Sequence, residues 1–97
     1  MLNREDYIVW GVRWAVIVVP PGDPRIDDCY GKTCWDRHEI YIVEGPWEEM
    51  VETLMHETSH ILTRSLEKLD ICQEDSRTWY SAALCDCLIR NGILYEP

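Results

Sequence analysis

The sequence has no long apolar run and few basic side chains. Its longest aliphatic run, residues 15–19, is much shorter than the roughly 20 residues that a helix needs to span a bilayer. The 97 residues include 9 Lys and Arg against 18 Asp and Glu, which gives a formal net charge of −9. Such a field repels phosphate backbones and anionic lipid. We therefore expect neither a membrane protein nor direct binding of nucleic acid.

The chain also does not have the pattern of a secreted, disulfide-rich protein. Its first residues include Glu5 and Asp6, where a secretory leader has basic and then apolar residues. We therefore expect the protein to be cytoplasmic. The 5 cysteines are an odd number, and thiols stay reduced in the cytosol. These cysteines are accordingly predicted to be free rather than paired in disulfides.

The apolar content is sufficient for one domain over residues 1–97. The hydrophobic share is 46%, and a chain of this length fills a single modest core. Residues 7–10, 12–19 and 39–43 are rich in β-branched and aromatic side chains, which predicts about three strands. The stretch from Pro20 to about Arg37 is rich in turn residues and predicts a long loop.

A helix is predicted directly after the last of these strands. Pro46 suits the first helical position, and Glu48 and Glu49 complement the positive end of the helix dipole. Apolar residues then recur at helical spacing over residues 47–66, which predicts an amphipathic helix packed on the sheet. We expect this helix to end between residues 64 and 69.

A second helix is predicted to follow from Asp70. Asp70 and Gln73 have the spacing of a capping box at a helix start. The predicted fold is therefore α+β. An antiparallel or mixed sheet of about three strands packs against the first helix, and a second helix follows it.

The main chemical signal lies inside the first predicted helix, where residues 56–60 are His-Glu-Thr-Ser-His. Two histidines four positions apart project from the same side of a helix, so both imidazoles can reach one Zn²⁺ at about 2.1 Å. Glu57 points to the side of this pair. A carboxylate there can take the proton of a water that the metal activates for attack on a carbonyl. The sequence therefore predicts His56 and His60 as metal ligands and Glu57 as a general base.

Two other interpretations of this histidine pair are open. A pair buried in the core is disfavoured, because His56 and His60 project away from the apolar stripe of their helix. A solvent-exposed face without a metal remains the alternative.

A catalytic zinc needs a third protein ligand and an open fourth position. We predict Glu74 as this ligand, because it is an acid in an otherwise apolar row of the second helix, near its N-terminus. Asp75 is the next candidate, and Asp70 or Cys72 can serve instead. The alternative is that Glu74 is an ordinary acid of a first helical turn.

The motif from His56 to His60, followed by Glu74, resembles the zincin metallopeptidases whose third ligand is a glutamate. It also resembles small metallopeptidases encoded by phages and prophages, in which a strand, the HExxH helix and a helix opened by paired acids form nearly the whole protein. No further metzincin histidine or glycine follows His60, which excludes that branch. The resemblance implies Zn²⁺, peptide-bond hydrolysis with Glu57 as general base, an edge strand that binds extended substrate, and a host cytoplasm if the gene is phage-encoded.

The strand before the first helix is the one expected to bind substrate if the resemblance holds. If Glu39–Val43 is the edge strand, a peptide can pair along it, in contact with the substrate-binding residues Ile40, Tyr41 and Ile42. Stabilisation of the transition state also requires a donor opposite Glu57. The sequence offers four candidates without ranking them: His38, Tyr30, Tyr41 and Arg77.

The expected function is a zinc-dependent metallopeptidase that acts on a peptide or protein substrate. A non-catalytic zinc-binding module that holds a partner's extended strand is the main alternative. An inert domain with accidental histidines is the third.

Overall fold

The computed structural model describes residues 2–69, 84 and 87–93, and of residues 65–69 it describes the backbone alone. These residues confirm the α+β class, with a four-stranded mixed sheet rather than about three strands. The elements are β1 (Arg4–Val9), β2 (Val12–Val19), β3 (Gly31–Cys34), β4 (Glu39–Val43) and α1 (Trp47–Leu69). Residues 84 and 87–90 are also helical. Within this part of the chain, no helix has the length and apolarity needed to cross a membrane.

The strand order is β1-β2-β4-β3. Strands β1 and β2 are antiparallel, β2 and β4 are parallel, and β3 is antiparallel to β4. The prediction that β4 is the edge strand was therefore wrong, because it is paired on both sides. Its three central residues are buried, as expected for a strand covered on both faces. These residues are Ile40, Tyr41 and Ile42, so none of them offers a free strand edge to a peptide.

The edge next to β4 is formed by β3, which lies within the stretch predicted as a loop. Gly31 pairs with Ile42 and Cys34 pairs with Glu39. The intrinsic strand preference of this short segment is weak, so its conformation depends on the ladder that β4 offers.

The first two strands form a tight hairpin. Its turn consists of Trp10 and Gly11, with φ angles of 52° and 78°. Positive φ at both central residues is the mark of a type I′ turn, whose twist matches that of the flanking strands. Gly11, which separates the two predicted strand segments, is therefore the second residue of the hairpin turn.

The main core lies between one face of the sheet and α1. The predicted apolar stripe of α1 faces it, because Leu54, Ile61 and Leu62 are buried. The sheet contributes alternate residues of its strands, as the period of two requires. These buried sheet residues are Tyr7, Val9, Trp14, Val16, Ile40 and Ile42.

The outer edge of β1 is covered by an asparagine side chain. Asn91 Oδ1 accepts a hydrogen bond from Ile8 N at 3.0 Å, and Asn91 Nδ2 donates to Ile8 O at 3.0 Å. The amide thus makes the pair of bonds that a neighbouring strand would make. No described strand pairs with the outer edge of β3, which leaves that edge open in the described part of the molecule.

Candidate metal centre

The two histidines of α1 lie together on its exposed side. Their Nε2 atoms are 3.0 Å apart, within hydrogen-bond distance, and their rings are nearly perpendicular. Two nitrogens bound at about 2.1 Å to one tetrahedral zinc are about 3.4 Å apart. A separation of this size is within reach of small side-chain rotations, so His56 and His60 fit a shared zinc ion.

Glu57 lies beside this pair and is largely buried, with 7% of its surface exposed. One ligand atom from each of His56, Glu57 and His60 lies within 4.8 Å of the other two. The structure therefore brings together three residues that the sequence predicted to act together.

The carboxylate of Glu57 is held by the edge strand. Thr33 Oγ1 donates a hydrogen bond to Glu57 Oε1 at 2.8 Å. No hydrogen bond to Oε2 is present among the described residues, so this oxygen is available to a water or a substrate group.

The edge strand approaches α1 closely at Gly31. A Cβ at this position would lie 2.5 Å from Thr53 Cγ2 and 3.3 Å from Glu57 Cγ. Because Gly31 and Thr33 are two positions apart on β3, both face the helix. Glu57 is therefore enclosed between a glycine and a threonine of one strand face.

The opposite side of α1 is anchored in the core by a polar chain. Thr58 Oγ1 donates to Leu54 O at 2.7 Å, so Tyr7 OH, which is 2.7 Å from Thr58 Oγ1, is the donor to Thr58. Burial, with a contribution from Cys87, raises the pKa of Tyr7 well above its ordinary value. This contact fixes the rotation of α1 on the sheet, and with it the direction of the histidine face.

Two cavities meet at the candidate centre, and Gly31, His56 and Glu57 line both of them. The first has a volume of about 630 Å³ and extends past His60 towards Lys32 and Arg64. The second has a volume of about 530 Å³ and extends in the other direction. Its further lining residues are Cys29, Tyr30, Glu49, Glu52 and Thr53. Together the two cavities form a groove along β3 and α1.

The structure separates two of the predicted transition-state donors from this groove. His38 stacks on Trp14 with ring centroids 4.7 Å apart, and it lines a different cavity. Tyr41 packs with Val19 and Ile26 on the sheet face away from α1, because its neighbours in β4 fill the core beneath the helix. Both predictions are corrected by this placement.

Tyr30 is the one described candidate that remains at the groove, where it lines the second cavity. Arg77 lies outside the described residues. The predicted third ligand Glu74 also lies outside them, as do its alternatives Asp75, Asp70 and Cys72.

The groove contains residues that sequence reasoning did not single out, namely Lys32, Thr33, Trp35 and Arg64. The guanidinium of Arg64 lies over the Trp35 ring, 4.3 Å from its centroid. Lys32, Thr33 and Trp35 reach the groove only through the position of β3 beside β4, which no local pattern specifies. Arg64 lies on α1, four positions after His60, so helical spacing could have indicated it.

Comparison with known proteins gives no match to a family model, to a curated protein or to a solved structure. The functional conclusion therefore depends on the geometry of the groove and on the chemistry of its side chains.

Proposed function

We propose that this protein is a zinc-dependent peptidase. The observation that supports it is the grouping of His56, Glu57 and His60 within 4.8 Å of one another, in the lining of a groove bordered by a strand edge that is open among the described residues. Metal ligands, a carboxylate and a surface for extended peptide are the parts that metal-assisted hydrolysis of a peptide bond requires.

The chain's own residues have distinct roles in this proposal. His56 and His60 hold the zinc, with Glu74 or Asp75 as the proposed third ligand. When bound there, zinc would act as a Lewis acid that makes a water nucleophilic near neutral pH and polarises the substrate carbonyl. Glu57 takes the proton of the attacking water and passes it to the leaving amine. Thr33 orients Glu57 through Oε1, which directs Oε2 to the reacting groups.

The substrate pairs with β3 rather than with β4. An extended peptide can add to an exposed sheet edge through main-chain hydrogen bonds. Because Gly31 and Thr33 contact Glu57, a peptide on this edge brings its backbone carbonyls next to the carboxylate. Tyr30, at the start of the strand, is the proposed donor to the oxyanion that forms.

Metal analysis of purified variants tests the ligands. The wild type should retain one equivalent of zinc after dialysis, and His56→Ala should lose it. His38→Ala is the matched control, because His38 stacks on Trp14 outside this cluster, and it should retain zinc. Absence of zinc from the wild type would contradict the proposal.

Peptide cleavage by Glu57→Gln tests the chemistry. This variant should keep zinc and lose cleavage by at least about a hundredfold, the usual contribution of a general base. Cleavage at the wild-type rate would contradict the role of Glu57. Zinc retention by a wild type that cuts nothing in a diverse peptide library would favour the non-catalytic binding module.

A further inference from the structure

We propose that the groove selects peptides by the order of their charges, with acidic side chains before the cleaved bond and basic side chains after it. This inference rests on the proposed peptidase function and specifies its substrate class.

The two cavities on either side of Glu57 have opposite charges. The first is lined by the cationic residue Arg64, and the second is lined by the acidic residues Glu49 and Glu52. Lys32 also borders the first cavity, but it alternates with Gly31 and Thr33 on β3, so its side chain faces away from α1, and its Nζ lies 3.9 Å from Asp27. A peptide in the groove therefore meets a positive and a negative end.

Contacts between β3 and α1 fix the direction of the groove. The start of β3 is next to Thr53, since a Cβ on Gly31 would touch it, and Trp35, directly after β3, lies beneath Arg64. Strand β3 and helix α1 therefore run in the same direction. A peptide antiparallel to β3, which is the more stable arrangement, has its N-terminal part in the positive cavity and its C-terminal part in the negative one.

Helix α1 also sets the distance between the charged residues of the groove. Glu52 and Arg64 are twelve positions apart, which corresponds to about 18 Å along an α-helix. An extended peptide covers this length with about five residues, at about 3.4 Å each. The charges that the groove recognises are therefore about five positions apart.

The test uses two capped peptides of identical composition. One has two aspartates, four apolar residues and two lysines, in that order, and the other has the lysines first. Because both have the same net charge, the overall field of the protein acts equally on them. Calorimetry measures their binding to Glu57→Gln, and also to zinc-free wild type, so that no turnover is needed.

The peptide with aspartates first should bind about tenfold more tightly, as expected for a few exposed ion pairs. The preference should shrink in high salt, because salt screens exposed charges. A double variant, with Arg64→Glu and Glu52→Lys, keeps the net charge and should remove the preference.

Equal affinity for the two peptides, a preference for lysines first, or binding of neither would each overturn the inference. These outcomes are separate from failure of the proposed function, which zinc content and cleavage by wild type and Glu57→Gln decide. The comparison of the two peptides on an unchanged groove also does not depend on whether the double variant folds.

Discussion

Thr33 is the residue on which the position of Glu57 depends. Its hydroxyl makes the only hydrogen bond to that carboxylate within the described residues, and a hydrogen bond to a charged group contributes about 1.5 to 3 kcal/mol. Under the proposed function, we expect Thr33→Val, which keeps the shape and strand preference of threonine, to lower kcat/KM by at least about tenfold while zinc content stays unchanged.

Rescue by serine separates orientation of the base from a structural effect. Thr33→Ser restores the hydroxyl but removes the methyl group, and it should return kcat/KM to near the wild-type value. An equal loss in the serine and valine variants would show that the hydroxyl is not what matters at Thr33.

Gly31 gives a second prediction at the level of a single residue. Gly31→Ala places a methyl group 2.5 Å from Thr53 Cγ2, and overpacking of this kind costs about 1 to 3 kcal/mol in the free energy of unfolding. Urea denaturation measures this loss. Adding Thr53→Ser removes the clashing methyl and should recover most of it, whereas a double variant no more stable than Gly31→Ala would contradict the contact.

At the scale of whole elements, the edge of β1 depends on Asn91. Its side chain bonds Ile8 N, Ile8 O and Cys87 O. Asn91→Ala removes these three hydrogen bonds, although Cys87 O still accepts from the backbone N of residue 91 and Ile8 O from Cys87 Sγ. We expect it to lower the free energy of unfolding by about 3 kcal/mol. Chemical denaturation measures the change.

Asn3 provides the matched control for this element. Its exposed side chain makes one hydrogen bond, from Val18 N to Oδ1, so Asn3→Ala should cost less than about 1 kcal/mol. Equal losses in the two variants would indicate that the bonds of Asn91 to the β1 edge add no more stability than the single exposed bond of Asn3.

The sequence predicts those elements whose signals are local. The bounds of β2 and β4 agree with the predicted ranges, and α1 begins directly after Pro46, because these segments have strong residue preferences. The short strand β3 was missed since its glycine, lysine, threonine and cysteine form no strand pattern. The order of strands depends on pairing between distant segments, so the open edge was assigned to β4 instead of β3.

In the candidate site too, the sequence predicts what depends on local spacing and misses what depends on the tertiary fold. His56, Glu57 and His60 share one helix, so their spacing alone brings them together. Tyr41 was misplaced because its direction depends on which sheet face α1 covers, and no local pattern specifies that face. Thr33 was missed because it reaches Glu57 through the tertiary fold.

At the scale of the whole molecule, burial of Tyr7 makes the free energy of unfolding decrease at alkaline pH. Burial raises the pKa of Tyr7, so the folded protein keeps this proton where the unfolded chain releases it, above about pH 10. The contribution of protonated Tyr7 to the free energy of unfolding is complete below that pH. It decreases as the pH rises, by up to about 1.4 kcal/mol per pH unit.

Urea denaturation between about pH 9 and pH 11 measures this dependence. Tyr7→Phe cannot release a proton, so its free energy of unfolding should fall less steeply than that of the wild type. Tyr30→Phe, which alters a ring that is 80% exposed, is the control. Identical slopes for wild type and Tyr7→Phe would contradict the link.

The shortness of β3 sets the possible alignments of a bound chain. Side chains alternate between faces, so a peptide that slides along this four-residue strand keeps its inward face only if it advances by two residues, about 6.8 Å. Under the proposed function, a long substrate in which apolar and polar residues alternate would then be cut at positions two residues apart. Its fragments would form a series that contains every second length.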